Sequence, residues 1–248
     1  MIRDLVLLLA GVLAGIVATA GGIAALVSYP VLLAVGLGPV AATIAQVVAF
    51  VAILPGAVLG SRPELQHQGR WLSHWAPVAA LGGAAGAGLL LVTSAGVFAR
   101  IVPALLGLAG LALLLQPQLT AWRRRHQAES SPWVWGGVFF AMCLYTGYFG
   151  AGSGVMVLSL MLIAVDRRYL IANALKNVLG GVATVVAAAV FLASSHVAWA
   201  AVVPLGFGLF LGAVLGPQVA RRVPSTPLRL AVAMSGIGLA VRLWLVPG

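Results

Sequence analysis

Lys176 is the only lysine in the chain, and Asn173 and Asn177 stand beside it in one apolar stretch. At helical spacing positions 173 and 177 lie one turn apart, and 176 falls on the same face. An ammonium group buried in hydrocarbon is costly unless something pairs with it, so intramembrane lysines mark substrate or ion sites. No acidic residue neighbours it in sequence to neutralise the charge. A fixed cation flanked by two amides is chemistry for holding a mobile anion. The bland reading is a lysine that snorkels to the membrane interface.

Two glycine-broken apolar segments carry the second signal, Gly21-Gly22 and Gly150-Ala151-Gly152-Ser153-Gly154. Peptide groups freed from helix bonding cannot face lipid, so such breaks line protein or water. A half-helix that restarts after the break presents unpaired N–H groups and a positive dipole end, which suits an anion. Gly152, Ser153 and Gly154 are therefore candidate donors, and Gly22 is their counterpart. The structural alternative, glycines that let helices approach, applies most to Gly21-Gly22. Gln46 lies seven residues beyond Pro39 and Lys176 seven beyond Tyr169, each about 10 Å into its helix. Gln46 and Thr43 thus join the candidate binding set. Tyr145, Thr146 and Tyr148 are weaker candidates, because hydroxyls in such helices commonly bond backbone carbonyls.

Other chemistries find little support. His67, His74, His126 and His196 have no metal-ligand spacing with a carboxylate, so no metal site or cofactor is expected. The lone lysine follows leucine rather than glycine, which disfavours a phosphate loop and ATP-driven transport. Ser153 with His196 faintly resembles a serine-hydrolase dyad, but the nucleophile-elbow register is absent and His196 falls in a far loop. An enzyme is not expected. Cys143 is the single cysteine, so it forms no internal disulfide and reads as a small apolar filler.

The elements that must position these residues are membrane helices. The chain is 62% hydrophobic and 7% charged, with mean hydropathy +1.12. Segments 5–35 (broken at 21–22), 39–60, 72–93 and 98–116 form a first set. Segments 133–165 (broken at 150–154), 169–194, 198–220 and 227–246 form a second. The expected organisation is a first membrane repeat at 1–116, a basic cytoplasmic linker at 117–132, and a second repeat at 133–248. A shift of about 130 residues brings Gly22 onto Gly152, Thr43 onto Asn173 and Gln46 onto Lys176, which supports duplication. Gly82-x₃-Gly86 and Gly208-x₃-Gly212-x₃-Gly216 read as helix-packing faces. Trp71, Trp75, Trp133, Trp135 and Trp199 near span starts read as interfacial anchors.

Charge suggests the topology. If each broken segment enters and returns on one side, the loops at 61–71, 117–132, 166–168 and 221–229 share a side. That side then holds Arg62, Arg70, Arg123, Arg124, Arg125, Arg167, Arg168, Arg221, Arg222 and Arg229. Only Arg3, Arg100 and Arg242 face the other. The positive-inside rule favours this arrangement, with both termini outside and the halves inverted relative to each other. The predicted fold is an all-α polytopic membrane protein of two inverted repeats, each a glycine-broken helical hairpin plus three transmembrane helices. Inverted repeats are typical of secondary transporters.

Residues 11–60, opening GVLAGIVATAGGIAALVSYPVLLAVGLGPVAATIAQ, and 136–224, with GGVFFAMCLYTGYFGAGSGVMVLSLML and LGAVLGPQVARRVP, resemble the sulfite exporter TauE/SafE family of bacterial permeases. The departures are a short first break, Ala20-Gly21-Gly22-Ile23, and Ser159 where the second half often has proline. The resemblance implies export of sulfite or an organosulfonate such as sulfoacetate across the bacterial cytoplasmic (inner) membrane. Thiosulfate, sulfate or a carboxylate is the alternative substrate. Expected partners are the small anion, a coupling proton or sodium ion, lipid and a second copy in a homodimer. Nucleic acid is not among them.

Overall fold

The computed structural model describes residues 2–105, 132–165 and 168–222, with isolated positions at 107, 111, 115, 118 and 241. Among these the regular elements are all helices. They run α1 (Ile2–Gly21), α2 (Ala25–Ala34), α3 (Pro39–Phe50), α4 (Ile53–Gly60), α5 (Arg62–Leu65), α6 (Gly69–Val92), α7 (Ala95–Leu105), α8 (Pro132–Tyr148), α9 (Ser153–Ala164), α10 (Tyr169–Ser194) and α11 (Trp199–Arg222). Among the described residues five stretches are long and apolar enough to cross a membrane: α1, α3 with α4, α6, α10 and α11 up to Val219. The protein is thus an all-α polytopic membrane protein, as its composition indicates. Nearly all of the basic linker and of segment 227–246 lies outside the described residues.

Sequence spacing places these helices closely. Each half opens with helix, glycine break, helix: α1 and α2 around Gly22, α8 and α9 around Gly150–Gly152. One interruption is not foreseen, a short turn at Val51–Ala52 that separates α3 from α4. Pro55 accounts for it, because its ring has no N–H for the Val51 carbonyl four residues back and clashes with it, although periodicity alone reads 39–60 as one helix.

Glycine decides which helices touch. In lipid no hydrophobic drive pulls apolar helices together, so packing depends on small residues that admit close backbone approach. On α1 and α11, a Cβ added at Gly11 would strike the Leu205 carbonyl, and one at Gly212 the Val12 carbonyl. On α4 and α11, a Cβ at Gly56 would sit 2.8 Å from the Phe210 oxygen. On the other side, a Cβ at Gly82 would come within 2.6 Å of Cys143 on α8, while one at Gly83 would meet Ala183 on α10. The helices therefore gather as α1, α4 and α11, and as α6, α8 and α10. Each group draws on both halves of the chain. Arg221 reinforces the first by forking onto Glu64 and the Gly60 carbonyl.

The packing faces read from Gly82-x₃-Gly86 and Gly208-x₃-Gly212 are thus in use. Replacing Gly212 with alanine is expected to lower the melting temperature in detergent by overpacking, at a cost of about 1–3 kcal/mol. Gly88→Ala is the matched control. Nothing lies within 4 Å of its added Cβ, so the variant should melt with wild type or slightly above, because alanine favours helix over glycine.

The tryptophans divide. Trp71, Trp75 and Trp135 associate with Phe139, the Trp75 and Trp135 rings lying 4.5 Å apart. Trp133 and Trp199 are exposed, as interfacial anchors require.

The two breaks end their helices by the same device. The Gly22 N–H donates back to Val17 O at 3.0 Å and Ala18 O at 2.8 Å, with Gly22 at φ +80°. Phe149 and Gly150 N–H groups both donate to Tyr145 O, with Gly150 at φ +74°. This is the left-handed termination that glycine makes cheap. The breaks then meet: a Cβ on Gly154 would lie 2.5 Å from the Gly22 Cα.

Candidate functional site

Where the breaks meet, a cavity opens of about 700 Å³, counting its open mouth. The restarts of α2 and α9 face it through Ala24, Ala25, Ser153 and Gly154. Neither restart has a side-chain cap: Ala24 and Gly152 make no capping hydrogen bond. Leu26, Ser153 and Val155 N–H groups already bond backbone carbonyls, but among the described residues those of Ala24, Ala25 and Gly154 have no backbone acceptor, so both ends present donors and positive dipole to the cavity. Apolar walls come from Val47, Phe50 and Ile53 near the α3–α4 turn and from Val157 on α9. Lys176, Asn177 and Thr184 on α10 supply much of the polar side.

Lys176 is only 3% exposed. Its Nζ donates to Ala18 O at 3.0 Å, and among the described residues no carboxylate bridges to it. Asn173 and Asn177 donate from Nδ2 to Thr19 O, at 2.6 and 3.2 Å. The Tyr169 hydroxyl donates to Ala20 O. Three successive carbonyls at the end of α1 thus receive side chains from the first two turns and a half of α10. A broken helix leaves its last carbonyls orphaned, and its negative dipole end favours a cation. Lys176 is buried because it closes that end, and one bond leaves two of its three N–H groups uncommitted.

The predicted site residues separate accordingly. Lys176, Asn177, Gly22, Ser153 and Gly154 line the cavity; Asn173, Gly152, Gln46 and Thr43 are not among its lining residues. Asn173 is buried one turn away, on the α1 carbonyls. Gln46 is buried between α2 and α3, where its Oε1 accepts from Ser28 Oγ at 2.8 Å while Nε2 has no partner among the described residues. The Thr43 hydroxyl donates to Pro39 O. Ser153 and Thr146 turn their protons inward, to Gly150 O and Met142 O. Their hydroxyls therefore offer acceptors rather than donors to a ligand, and backbone amides carry the donor role on that side.

Sequence reasoning missed Tyr169 and the α1 carbonyls. The signal was present: Tyr169 stands four residues before Asn173 and eight before Asn177, on the same helical stripe. It missed Gly180 too, whose lack of a side chain leaves the cavity open along α10, and Gly181, which admits Leu54 of α4 beside it. The serine–histidine pair is not brought together. His196 follows the end of α10, about 30 Å along the axis from the turn that faces Ser153.

A buried ammonium, a carboxamide and two uncapped helix starts converge on one space, which is donor chemistry for a small anion. A family model described as "Sulfite exporter TauE/SafE" matches residues 7–243. The chain belongs to the sulfite exporter TauE/SafE family. No curated protein and no solved structure gives a match. Family membership makes this a multi-pass transporter of the sulfite-exporter type, and it covers both breaks, α10 and the glycine faces. In this TauE/SafE protein the strongest donors of the cavity belong to α10, in the second half, while the first half contributes the restart of α2 and the apolar wall at Val47 and Phe50.

Proposed function

We propose that this TauE/SafE protein is a secondary transporter that exports a small sulfur-containing anion, sulfite or an organosulfonate such as sulfoacetate, across the bacterial cytoplasmic membrane. The observation that carries this reading is the cavity between two uncapped half-helix starts, with Lys176 on its wall. Lys176 supplies charge, Asn177 an amide, and the first-turn N–H groups at Ala24, Ala25 and Gly154 further donors. The apolar wall of Val47, Phe50, Ile53 and Val157 suits the carbon portion of a sulfonate. Thiosulfate, sulfate or a carboxylate in the same place is the alternative.

Alternating access operates between the two helix groups, which meet at the Gly22–Gly154 contact. α1 pairs with α11 and α8 with α6, in each case one half's opening helix against the other half's third span, and this equivalence supports the inverted-repeat reading. Because each group mixes halves, the rocking bodies are α1–α4–α11 and α6–α8–α10 rather than the repeats themselves. The concentration of arginine in the loops around 62–70 and 221–222 supports a cytoplasmic placement of those loops and termini outside. A proton or sodium gradient supplies the driving force, and a homodimer is the assembly proposed.

The test is a thermal-shift screen of purified protein against sulfite, thiosulfate, sulfoacetate, sulfate and acetate as sodium salts at constant ionic strength. At least one sulfur anion should raise the melting temperature by several degrees, since ligand at a hundred times its Kd stabilises by about 2.7 kcal/mol. If none does, the transport reading loses its substrate.

A further inference from the structure

The ends of α1 and α10 carry a division of labour that goes beyond a binding pocket, although it rests on the anion reading above. Of the four α10 side chains on the α1 carbonyls, only Lys176 and Asn177 line the cavity; Tyr169 and Asn173 do not. The cavity-facing pair are also the dispensable caps. Ala18 O accepts from Lys176 but holds a second bond from the Gly22 N–H at 2.8 Å. Thr19 O accepts from Asn177 at 3.2 Å but holds the shorter bond from Asn173 at 2.6 Å. The carbonyl of Ala20 has Tyr169, and among the described residues no backbone N–H reaches Thr19 O or Ala20 O. Asn173 keeps its amide there even though its buried Oδ1 has no partner among the described residues.

We propose that Tyr169 and Asn173 are positioning residues for anion binding: they hold the end of α1 closed so that Lys176 and Asn177 can turn from its carbonyls to the ligand. When the anion arrives, Lys176 leaves Ala18 O to the Gly22 N–H, and Asn177 leaves Thr19 O to Asn173. No carbonyl is orphaned, so the exchange avoids the penalty of an unpaired buried acceptor. Without Asn173, Thr19 O would depend on Asn177 alone, and the anion would have to compete for that donor. Without the Tyr169 hydroxyl, Ala20 O loses the one donor it has among the described residues, and the nearby ammonium is drawn toward the α1 end.

The single lysine makes this measurable. Protein labelled with ¹⁵N at lysine Nζ carries one side-chain ammonium resonance, because Lys176 is the only lysine. Sulfite and sulfoacetate are titrated into wild type, Tyr169→Phe and Asn173→Leu, with Kd and melting temperature recorded for each. In wild type the anion should move the resonance as Nζ changes acceptor. Both variants should bind about five- to tenfold more weakly, the worth of roughly one hydrogen bond, and Tyr169→Phe should also move the resonance before any anion is added. If the variants melt lower yet bind with wild-type Kd and show the wild-type resonance, the two residues serve the fold alone and the inference falls. If wild type itself binds neither anion, the sulfite-or-sulfonate reading fails instead. Should either variant not fold, the wild-type titration still decides, since a resonance unmoved at saturating anion means Lys176 never leaves Ala18.

Discussion

Lys176→Met is expected to abolish anion binding while leaving a folded protein: the anion-induced rise in melting temperature expected of wild type should disappear. The ammonium is 3% exposed and no acidic side chain shares its charge among the described residues. A unit charge about 4 Å from an anion at an effective dielectric near 20 is worth about 4 kcal/mol, roughly a thousandfold in Kd. Methionine matches the aliphatic stem and brings no charge to desolvate. Ala18 O is not orphaned by the change, because the Gly22 N–H still reaches it. The unliganded variant is therefore expected to melt within a few degrees of wild type, the lost helix-end cation offsetting the relieved burial of charge. Thermal shift in saturating sulfite or sulfoacetate reads both halves of this expectation. A variant that keeps the wild-type shift would remove Lys176 from the site.

Gly154→Ala carries the second large effect, and it acts through backbone rather than charge. The added Cβ lies 2.5 Å from Gly22 Cα and 2.7 Å from Gly22 O. Both are main-chain atoms, so no rotamer change relieves the clash and the two breaks must part. The facing substitution, Gly22→Ala, adds the cost of a left-handed backbone, about 1–2 kcal/mol, to a Cβ 2.5 Å from Gly154 C. Parting the breaks separates the restarts of α2 and α9, so anion affinity should fall together with stability. Gly180→Ala provides the control: it lines the same cavity, yet nothing lies within 4 Å of its added Cβ. That variant should fold as wild type and change affinity only by trimming the space. Parallel melting curves and Kd values separate the outcomes, and a Gly154→Ala protein with wild-type values for both would show that the contact is not needed.

The breaks and the buried cation are legible in the amino-acid sequence for a simple reason. In hydrocarbon every backbone group must be satisfied within its own helix, so departures from apolar helix stand out one residue at a time. Gly22, Gly150–Gly154 and Lys176 are such departures, and each lies at the meeting point of the two helix groups. Gln46 illustrates the opposite case. Its depth matches that of Lys176 by sequence arithmetic, yet its carboxamide is taken up by Ser28 between α2 and α3. Depth along a helix follows from counting residues, whereas the direction a side chain faces depends on which helix packs beside it. Ser153 differs again. Its place at the cavity follows from the glycine break, but the Gly150 carbonyl takes its proton, a local bond that residue type alone does not announce.

By itself the sequence determined that this chain is an all-α membrane protein, where glycine breaks two of its segments, that one cation lies within an apolar helix, and which family it resembles. Each of these depends on composition or on spacing within a single helix. Only the tertiary structure decided that α1 packs with α11 and α6 with α8, that Gly22 touches Gly154, and that Lys176 closes the end of α1 while facing the cavity. These relations join residues far apart in the chain. They follow from which small-residue faces can approach to backbone contact, a matter of three-dimensional fit that no spacing along one helix encodes.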